Sequence, residues 1–233
     1  MQQPGWYPDE LAYAGEEHLD ERYVETYNRK SAHDHSGDLE ILNSMGLNAE
    51  SVVVDLGSGT GTFALAVSPH CRRVVAVDIS PAMLAYLAAE ATEAGIDNVE
   101  IVRAGFLSYQ HEGDLADIVY SRNVLHHLPD FWKAVALTRV ANMLKPGGVL
   151  LLHDLVYNVE PDEIEPTIEA WLANARETPD EGWTRDELET HVREEYSTFS
   201  WLHEALLERC GFTIREAIYR PSRTYAAYVC VKR

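Results

Sequence analysis

The chain has 233 residues, 46% of them hydrophobic, a length and composition that suit one globular domain with a sizeable core. Its formal net charge of −19 repels phosphate backbones and anionic membranes, which argues against nucleic acid as a partner. No apolar stretch reaches the length of a membrane span, which is about 18 residues. The N-terminus shows no secretory signal, and three widely spaced cysteines indicate reduced thiols, so we expect a cytoplasmic protein.

Residues 1–36 form a polar, aromatic segment, which we interpret as an N-terminal cap. A helix is predicted over residues 20–30, and a second helix ends before Gly46. Aromatic faces tolerate a cation well, so Tyr7, Tyr23 and Tyr27 here, and Trp171 and Trp183 in an insertion at 158–195, are candidates for a lid over a charged ligand. Simple packing of these rings on the body of the protein is the alternative.

Residues 52–61 are the most informative segment. Three valines at residues 52–54 predict a buried strand that ends in Asp55, and Gly57, Gly59 and Gly61 precede an apolar run with helical spacing. Glycine permits positive φ and lets the backbone approach a ligand closely. The helix that follows directs free N–H groups at the same point. The segment therefore predicts a nucleotide or cofactor cradle at a strand-to-helix turn.

Two acidic residues narrow the kind of ligand. Dinucleotide sites carry G-x-G-x-x-G, whereas this turn has an acid two residues before the first of three alternating glycines. Asp55 would repel a phosphate but suits a ligand that carries positive charge. A second strand, over residues 73–78, ends in Asp78, where a carboxylate can accept hydrogen bonds from both ribose hydroxyls. This pattern disfavours a nicotinamide cofactor.

Strands and helices alternate through the middle of the chain. Alternating βαβ units predict a parallel sheet with right-handed crossovers. The predicted elements are helix 61–68, strand 73–78, helix 81–94, strand 98–103, strand 116–121, helix 131–143 and strand 148–154. An acidic insertion at 158–195 follows, with helical patterns over 164–176 and 185–195. Helix 201–210 and strands 212–219 and 224–231 complete the chain.

With these motifs in order, residues 40–155 resemble the class I S-adenosylmethionine-dependent methyltransferases, and residues 205–232 continue the resemblance. The loops are similar to those of the ubiquinone/menaquinone-biosynthesis type. The resemblance implies an α/β fold, with a Rossmann-like, doubly wound, mostly parallel seven-stranded sheet, an antiparallel C-terminal hairpin and a helical cap. It implies a single methyltransferase domain over 1–233. Its parts are a cap segment (1–36), a cofactor-binding core (40–155), a helical insertion or lid (158–195), and a C-terminal helix and hairpin (199–233).

The same resemblance assigns the cofactor S-adenosylmethionine and its contacts. The glycine turn would hold the methionine part, Asp55 its ammonium group and Asp78 the ribose. Many relatives carry an acid after the third strand that reads the adenine amino group, but here that position is Gly105. Either backbone groups near Phe106 read the adenine, or another polar residue does. The predicted cofactor-binding residues are Asp55, Gly57, Ser58, Gly59, Gly61, Asp78, Ile79, Met83, Gly105, Phe106 and Asn123.

Histidines near the predicted active-site edge are candidates for a general base. His126 and His127 are neighbours and cannot both face one site, so we expect one to be structural and take the other as a candidate general base. His153-Asp154, at the end of the fifth strand, competes for the catalytic role. A metal site built from these residues, His33 or His35 has only weak support, and none is predicted.

The motifs therefore predict methyl transfer to a small-molecule O, N or C nucleophile by a monomer or homodimer that binds no membrane. Nucleic-acid amine methyltransferases carry an Asp/Asn-Pro-Pro-aromatic loop, and this chain has Ser121-Arg122-Asn123-Val124 there. A non-catalytic S-adenosylmethionine-binding or regulatory protein is one alternative. An NAD-dependent oxidoreductase is a less favoured one.

Overall fold

The computed structural model describes residues 4–13, 24, 30 and 33–233. Most of the helix predicted over 20–30, together with Tyr23 and Tyr27, lies outside the described residues. The strands, in chain order, are Val52–Leu56 (β1), Arg73–Asp78 (β2), Val99–Arg103 (β3), Ala116–Arg122 (β4), Leu144–Asp154 (β5), Val156–Tyr157 (β6), Thr198–Phe199 (β7), Phe212–Tyr219 (β8) and Ala226–Lys232 (β9).

Seven of these strands form one sheet in the order β3-β2-β1-β4-β5-β9-β8. Strands β1 to β5 pair in parallel, while β9 runs antiparallel to both β5 and β8. The predicted fold, a mostly parallel seven-stranded sheet closed by an antiparallel C-terminal hairpin, is confirmed. Strand order reverses beside β1, whose neighbours are β2 and β4. Such a reversal opens a crevice at the carboxyl ends of the strands.

Helices flank the sheet on both faces. They are Ser36–Ser44 (α1), Thr62–Val67 (α2), Pro81–Glu93 (α3), Asp130–Met143 (α4), Ile164–Leu172 (α5), Arg185–Glu194 (α6) and Ser200–Arg209 (α7). Within the described part of the chain, no helix combines the length and apolar character needed to cross a membrane. Alternate residues of each central strand point into two apolar layers: Val54 and Leu56 pack on one face, and Val53 packs on the other. Burial on both faces explains the unbroken apolar runs of β1 and β2.

Two predicted boundaries are wrong by several residues. Helix α5 ends at Leu172, not 176, because the N–H groups of Asn174 and Ala175 donate to carbonyls only three residues back. That tightened turn lets Arg176 bridge to Thr184. Strand β5 begins at Leu144, not 148, because its first residue pairs with the start of β4 across a bulge.

Gly61 is required by helix packing. Its φ is +81°, and an ideal Cβ would lie 2.1 Å from Cδ1 of Leu87 on α3. Gly95 is a matched control, because its φ is +65° but an added Cβ meets nothing within 4 Å. Both alanine variants pay for a left-handed backbone, which costs about 1–2 kcal/mol. Only Gly61→Ala also overpacks the core, so we expect its free energy of unfolding to fall further, by about 1–3 kcal/mol.

Urea denaturation of Gly61→Ala and Gly95→Ala tests this expectation. Equal unfolding free energies for the two variants would mean that α2 and α3 separate at no cost. The close approach of the two helices would then not be what requires glycine at residue 61.

Candidate functional site

A cleft of about 770 Å³, counted out to where it opens to solvent, lies at the carboxyl ends of β1 to β4. Its walls come from the loops after these four strands and, among the described residues of the N-terminal segment, from one. The lining residues are Glu10, Gly57, Gly59, Asp78, Ile79, Ser80, Met83, Ala104, Gly105, Phe106, Asn123, Val124, His127 and Leu128.

The glycine turn is braced from the neighbouring strand. The N–H groups of Gly57 and Ser58 donate to the Val77 carbonyl, at 2.8 and 3.0 Å. The N–H of Gly59 donates to Oδ2 of Asp78 at 2.8 Å. Gly57 has a φ of +76°, and an ideal Cβ there would lie 2.2 Å from the Val124 side chain. Glycine at residue 57 thus lets the loop after β4 close against the turn.

Asp78 has a double role at this edge. Oδ2 holds the glycine turn through Gly59, and Oδ1 accepts the Ser80 N–H at 2.8 Å. Ser80 in turn caps α3 by accepting the Met83 N–H, and Pro81 fills the first helical position. The carboxylate at the end of β2 therefore joins the two loops that form one wall of the cleft.

Asp55 lies beneath the turn and is not among the residues that line the cleft. It is 2% exposed, and Oδ2 has no hydrogen-bond partner among the described residues. Burial and the neighbouring Asp78 carboxylate raise the pKa of Asp55 well above its usual value. A buried carboxyl in this state would be stabilised in its ionised form by a nearby positive charge. Its predicted contact with an ammonium group stays a prediction.

His126 is not the free general base that the sequence suggested, and Asp154 does not face the cleft. The Nδ1–H of His126 donates to Oδ1 of Asp154 at 2.5 Å, and its Nε2 forms an ion pair with Oε2 of Glu195 at 3.0 Å. Burial disfavours the imidazolium, but the two carboxylates outweigh that effect and raise the pKa of His126 to about 9. A charged imidazole with both nitrogens engaged cannot accept a proton, so we correct the assignment.

His127 is the member of the histidine pair that lines the cleft. The loop forms a short 3-10 helix over Leu125–His127, and the ring centroids of His126 and His127 lie 4.4 Å apart. Asn123, at the start of the loop, has a φ of +57°, and its N–H donates to the His153 carbonyl at the end of β5. Its Oδ1 is buried and has no hydrogen-bond partner among the described residues.

Three histidines surround Asp38 beside the cleft. Oδ2 of Asp38 lies 3.3 Å from His33 Nε2 and 3.1 Å from His35 Nδ1, and Oδ1 lies 3.0 Å from His153 Nε2. The Tyr120 hydroxyl also donates to Oδ2, at 2.8 Å. Burial alone would raise the pKa of Asp38, but these hydrogen bonds hold it well below its usual value. Hydrogen bonds and ion pairs account for these approaches, and we assign no metal to them.

Glu10 was not among the predicted site residues. Its Oε1 accepts the Leu107 N–H at 2.7 Å, and its carboxylate lies against Gly105 in the cleft. No pattern around residue 10 predicts this contact, which joins positions 97 residues apart. Ser80, Ala104, Val124 and Leu128 also line the cleft, within loops whose other residues were predicted.

The structure brings eight of the eleven predicted cofactor-binding residues to the cleft, but not Asp55, Ser58 or Gly61. The predicted lid aromatics that the structure describes, Tyr7, Trp171 and Trp183, are not among the residues that line the cleft. Tyr7 packs on Trp132, with ring centroids 5.1 Å apart, and Trp171 packs on His191 at 5.6 Å. Trp183 is 39% exposed, with the Lys30 ammonium over its ring. Within the described residues, these rings pack on the body and on the insertion.

Comparison with known proteins agrees with this geometry. Residues 53–148 match the family model described as a methyltransferase domain. An uncharacterized methyltransferase of Bacillus subtilis is 37% identical over 106 residues, which cover 46% of this chain and 41% of that protein. An uncharacterized methyltransferase of Geobacillus kaustophilus is 28% identical over 193 residues, with 83% of each chain covered.

A solved structure shares the fold across nearly the whole chain. A SAM-dependent methyltransferase from Aquifex aeolicus superposes with a TM-score of 0.61 at 19% identity, covering 92% of this chain and 99% of that one. The ordered motifs, the sheet topology and these similarities support a class I S-adenosylmethionine-dependent methyltransferase family, with the family match lying over residues 53–148.

Proposed function

We propose that the chain transfers a methyl group from S-adenosylmethionine to a small-molecule O, N or C nucleophile. The observation that carries this proposal is the cleft itself. Its lining combines the glycine turn, Asp78, the apolar side chains of Ile79 and Met83, and His127. A carboxylate, apolar side chains and a titratable group therefore line a single cleft.

The residues present fit the cofactor of this family. Asp78 would hold the ribose hydroxyls, and Ile79 and Met83 would pack on the adenine ring. The backbone of Gly57 and Gly59 leaves room for the methionine part, above the buried carboxyl of Asp55. When bound, S-adenosylmethionine supplies a methyl group that its sulfonium already activates. The chain has to hold a nucleophile in line with that methyl group and exclude water.

The negative charge of the insertion at 158–195 favours a small-molecule acceptor over a polyanion. Residues 158–195, which we propose act as a lid, carry 13 acidic and three basic side chains. The end of this segment is fixed to the loop after β4, because Glu195 pairs with His126 and the Tyr196 N–H donates to the His126 carbonyl at 2.9 Å. A lid with this excess of negative charge would repel nucleic acid and admit neutral or cationic acceptors.

We assign His127 the role of accepting a proton from acceptors that must lose one. It lines the cleft, whereas its neighbour His126 is held charged between Asp154 and Glu195. An ordinary imidazole titrates close to neutral pH, which suits general-base catalysis. An acceptor that reacts as a neutral amine would need less of this help.

Two measurements test the proposal. Calorimetry compares binding of S-adenosylmethionine, S-adenosylhomocysteine and NAD to the full chain. We expect binding of the first two and none of NAD. Transfer of a labelled methyl group is then followed with small amines, phenols and activated carbon acids, and with transfer RNA and protein as comparison acceptors.

We expect label on a member of the small-molecule panel. Tight NAD binding without S-adenosylmethionine binding would instead indicate an oxidoreductase. Label on transfer RNA or protein alone would overturn the proposed acceptor class. Tight cofactor binding without methylation across the whole panel would favour a non-catalytic, cofactor-binding role.

A further inference from the structure

Glu10 places a carboxylate at the start of the loop after β3, where residues 104–106 include no acid. Gly105, in the loop after β3, lines the cleft, and the Glu10 side chain lies directly on that glycine. An ideal Cβ at residue 105 would lie 2.4 Å from Oε1 of Glu10 and 2.9 Å from Oε2. Any side chain at residue 105 would therefore displace Glu10. The Glu10 carboxylate can therefore occupy this position only because residue 105 is glycine.

The Glu10 carboxylate is fixed through one oxygen and uncommitted through the other. Oε1 accepts the Leu107 N–H at 2.7 Å. Oε2 is buried and has no hydrogen-bond partner among the described residues. A buried carboxylate oxygen without a donor is costly, so such an atom at a cleft wall is suited to a ligand that brings an N–H group.

The segment that carries Glu10 is anchored to the body of the protein. Glu10 begins a 3-10 helix that ends at Tyr13. Just before it, Trp6 and Tyr7 pack on Trp132 of α4, with ring centroids 5.9 and 5.1 Å away. Aromatic contacts of this kind stabilise by about 0.5–1.5 kcal/mol each. The residues around Glu10 thus hold its carboxylate at the cleft without help from a ligand.

Apolar side chains that follow β2 line the same cleft, next to the loop after β3, because Asp78 at the end of β2 pairs with Arg103 at the end of β3. Ile79 and Met83 line it, and Phe106 follows Gly105 in the loop. A flat heteroaromatic ring fits between apolar side chains, and its exocyclic amino group would then need an acceptor at the ring edge. Glu10 is the carboxylate that lines the cleft next to Gly105.

We infer that Glu10, from the N-terminal segment, accepts a hydrogen bond from the exocyclic amino group of the adenine and so sets the selectivity of the site for adenosine over inosine ligands. This inference rests on the proposed function, because it takes the cleft to bind S-adenosylmethionine. It also gives the N-terminal segment a direct part in cofactor binding. A side chain, as well as backbone groups and the shape of the cleft, then recognises the adenine ring.

The test compares two ligands by calorimetry. S-adenosylhomocysteine carries the amino group, and S-inosylhomocysteine carries a carbonyl oxygen in its place. Wild type should bind the adenosine ligand more tightly, by about 10-fold to 100-fold, which is the range for a hydrogen bond to a charged group. Glu10→Ala should weaken the adenosine ligand by a similar factor and leave the inosine ligand nearly unchanged, so the selectivity collapses.

Glu10→Gln is a second variant that keeps the shape and one acceptor oxygen. We expect it to lose about threefold to tenfold in affinity for S-adenosylhomocysteine, as for the loss of charge assistance from one hydrogen bond. Its amide N–H₂ can also donate to the carbonyl of the inosine ligand, so that ligand should gain affinity. Glu50→Gln, an exposed acid outside the cleft, is the charge-matched control and should change neither affinity.

The outcomes separate the two proposals. If wild type binds S-adenosylhomocysteine and Glu10→Ala leaves the selectivity intact, the assignment of Glu10 fails while the proposed function stands. Tighter binding of S-adenosylhomocysteine by Glu10→Ala would show that the carboxylate obstructs the ligand, and would also overturn the assignment. If wild type binds neither ligand, the proposed function itself fails. Thermal melting of each variant identifies a loss that comes from unfolding.

Discussion

Replacing Asp78 by alanine should weaken the binding of S-adenosylhomocysteine by at least about 100-fold, because hydrogen bonds to a charged group contribute about 1.5–3 kcal/mol each. The variant loses the carboxylate assigned to the ribose. It also loses the brace on the glycine turn, since the Gly59 N–H donates to that carboxylate at 2.8 Å. No other cleft residue combines a ligand contact with support of the turn in the proposed arrangement.

Calorimetry with Asp78→Ala, Asp78→Asn and Asp97→Ala separates the contribution of the Asp78 carboxylate from the effect of removing a negative charge elsewhere. Asp97 is exposed and remote from the cleft, so its alanine variant should bind like wild type. The asparagine keeps one acceptor oxygen and should fall between wild type and alanine. An affinity of Asp78→Ala within about threefold of wild type, which is less than a single neutral hydrogen bond contributes, would contradict the role of Asp78.

Replacing His126 by glutamine should lower the free energy of unfolding by about 3–5 kcal/mol at neutral pH, the range for breaking a buried ion pair. The variant leaves the carboxylates of Asp154 and Glu195 near each other without the imidazolium between them. Burial raises the pKa of both carboxyl groups, and in wild type the pairing with His126 lowers both. His70→Gln, an exposed histidine elsewhere, should change stability little.

The stabilisation by His126 should depend on pH with a definite sign. Its pKa is raised from 6.5 to about 9 in the folded chain, so the contribution is complete below about pH 6.5 and disappears as pH rises through 9. Each pKa unit corresponds to about 1.4 kcal/mol, so the total loss is about 3 kcal/mol. Burial lowers the pKa of the nearby His203 to about 4, so that imidazole stays neutral across the window.

Urea denaturation of wild type and His126→Gln at pH 6, 8 and 10 measures this contribution, because titrations common to both proteins cancel in the difference. The difference in unfolding free energy should shrink steadily with pH. Glu195→Gln, which keeps the His126–Asp154 pair, provides a milder variant if His126→Gln does not fold. A pH-independent difference would mean that His126 is neutral in the folded chain and that its carboxylate contacts do not charge it.

Most of the sheet and much of the cleft could be predicted from local patterns. Each predicted strand of the core ends at the same edge of a parallel sheet, so residues just after a strand, such as Asp78 and Asn123, must converge there. The hairpin of β8 and β9 follows from alternation and a short turn. The predictions that were wrong concern the ends of elements. At the end of α5, a few backbone hydrogen bonds decide whether the helix continues for another turn or ends in a tighter, 3-10-like turn.

The rest of the site depends on contacts between distant parts of the chain. Glu10 meets Leu107 across 97 residues, and no periodicity within either segment encodes that contact. The two histidines pose a different problem. Their adjacency indicates that only one faces the cleft, but the choice depends on where Asp154 and Glu195 lie in the fold. The partners of a charged side chain, more than its own position in a motif, decide whether it is catalytic or structural.

The glycines of the turn are required for different reasons, so their loss in a homologous sequence would have different meanings. Gly61 lies against Leu87 and away from the cleft, so a chain that had lost its cofactor would still need glycine there to keep α2 and α3 together. Gly59, by contrast, lines the cleft and bonds to Asp78. In a distant homologue, loss of the third glycine would therefore indicate a changed core. Loss of the second glycine together with the acid after β2 would indicate a protein that no longer binds this ligand.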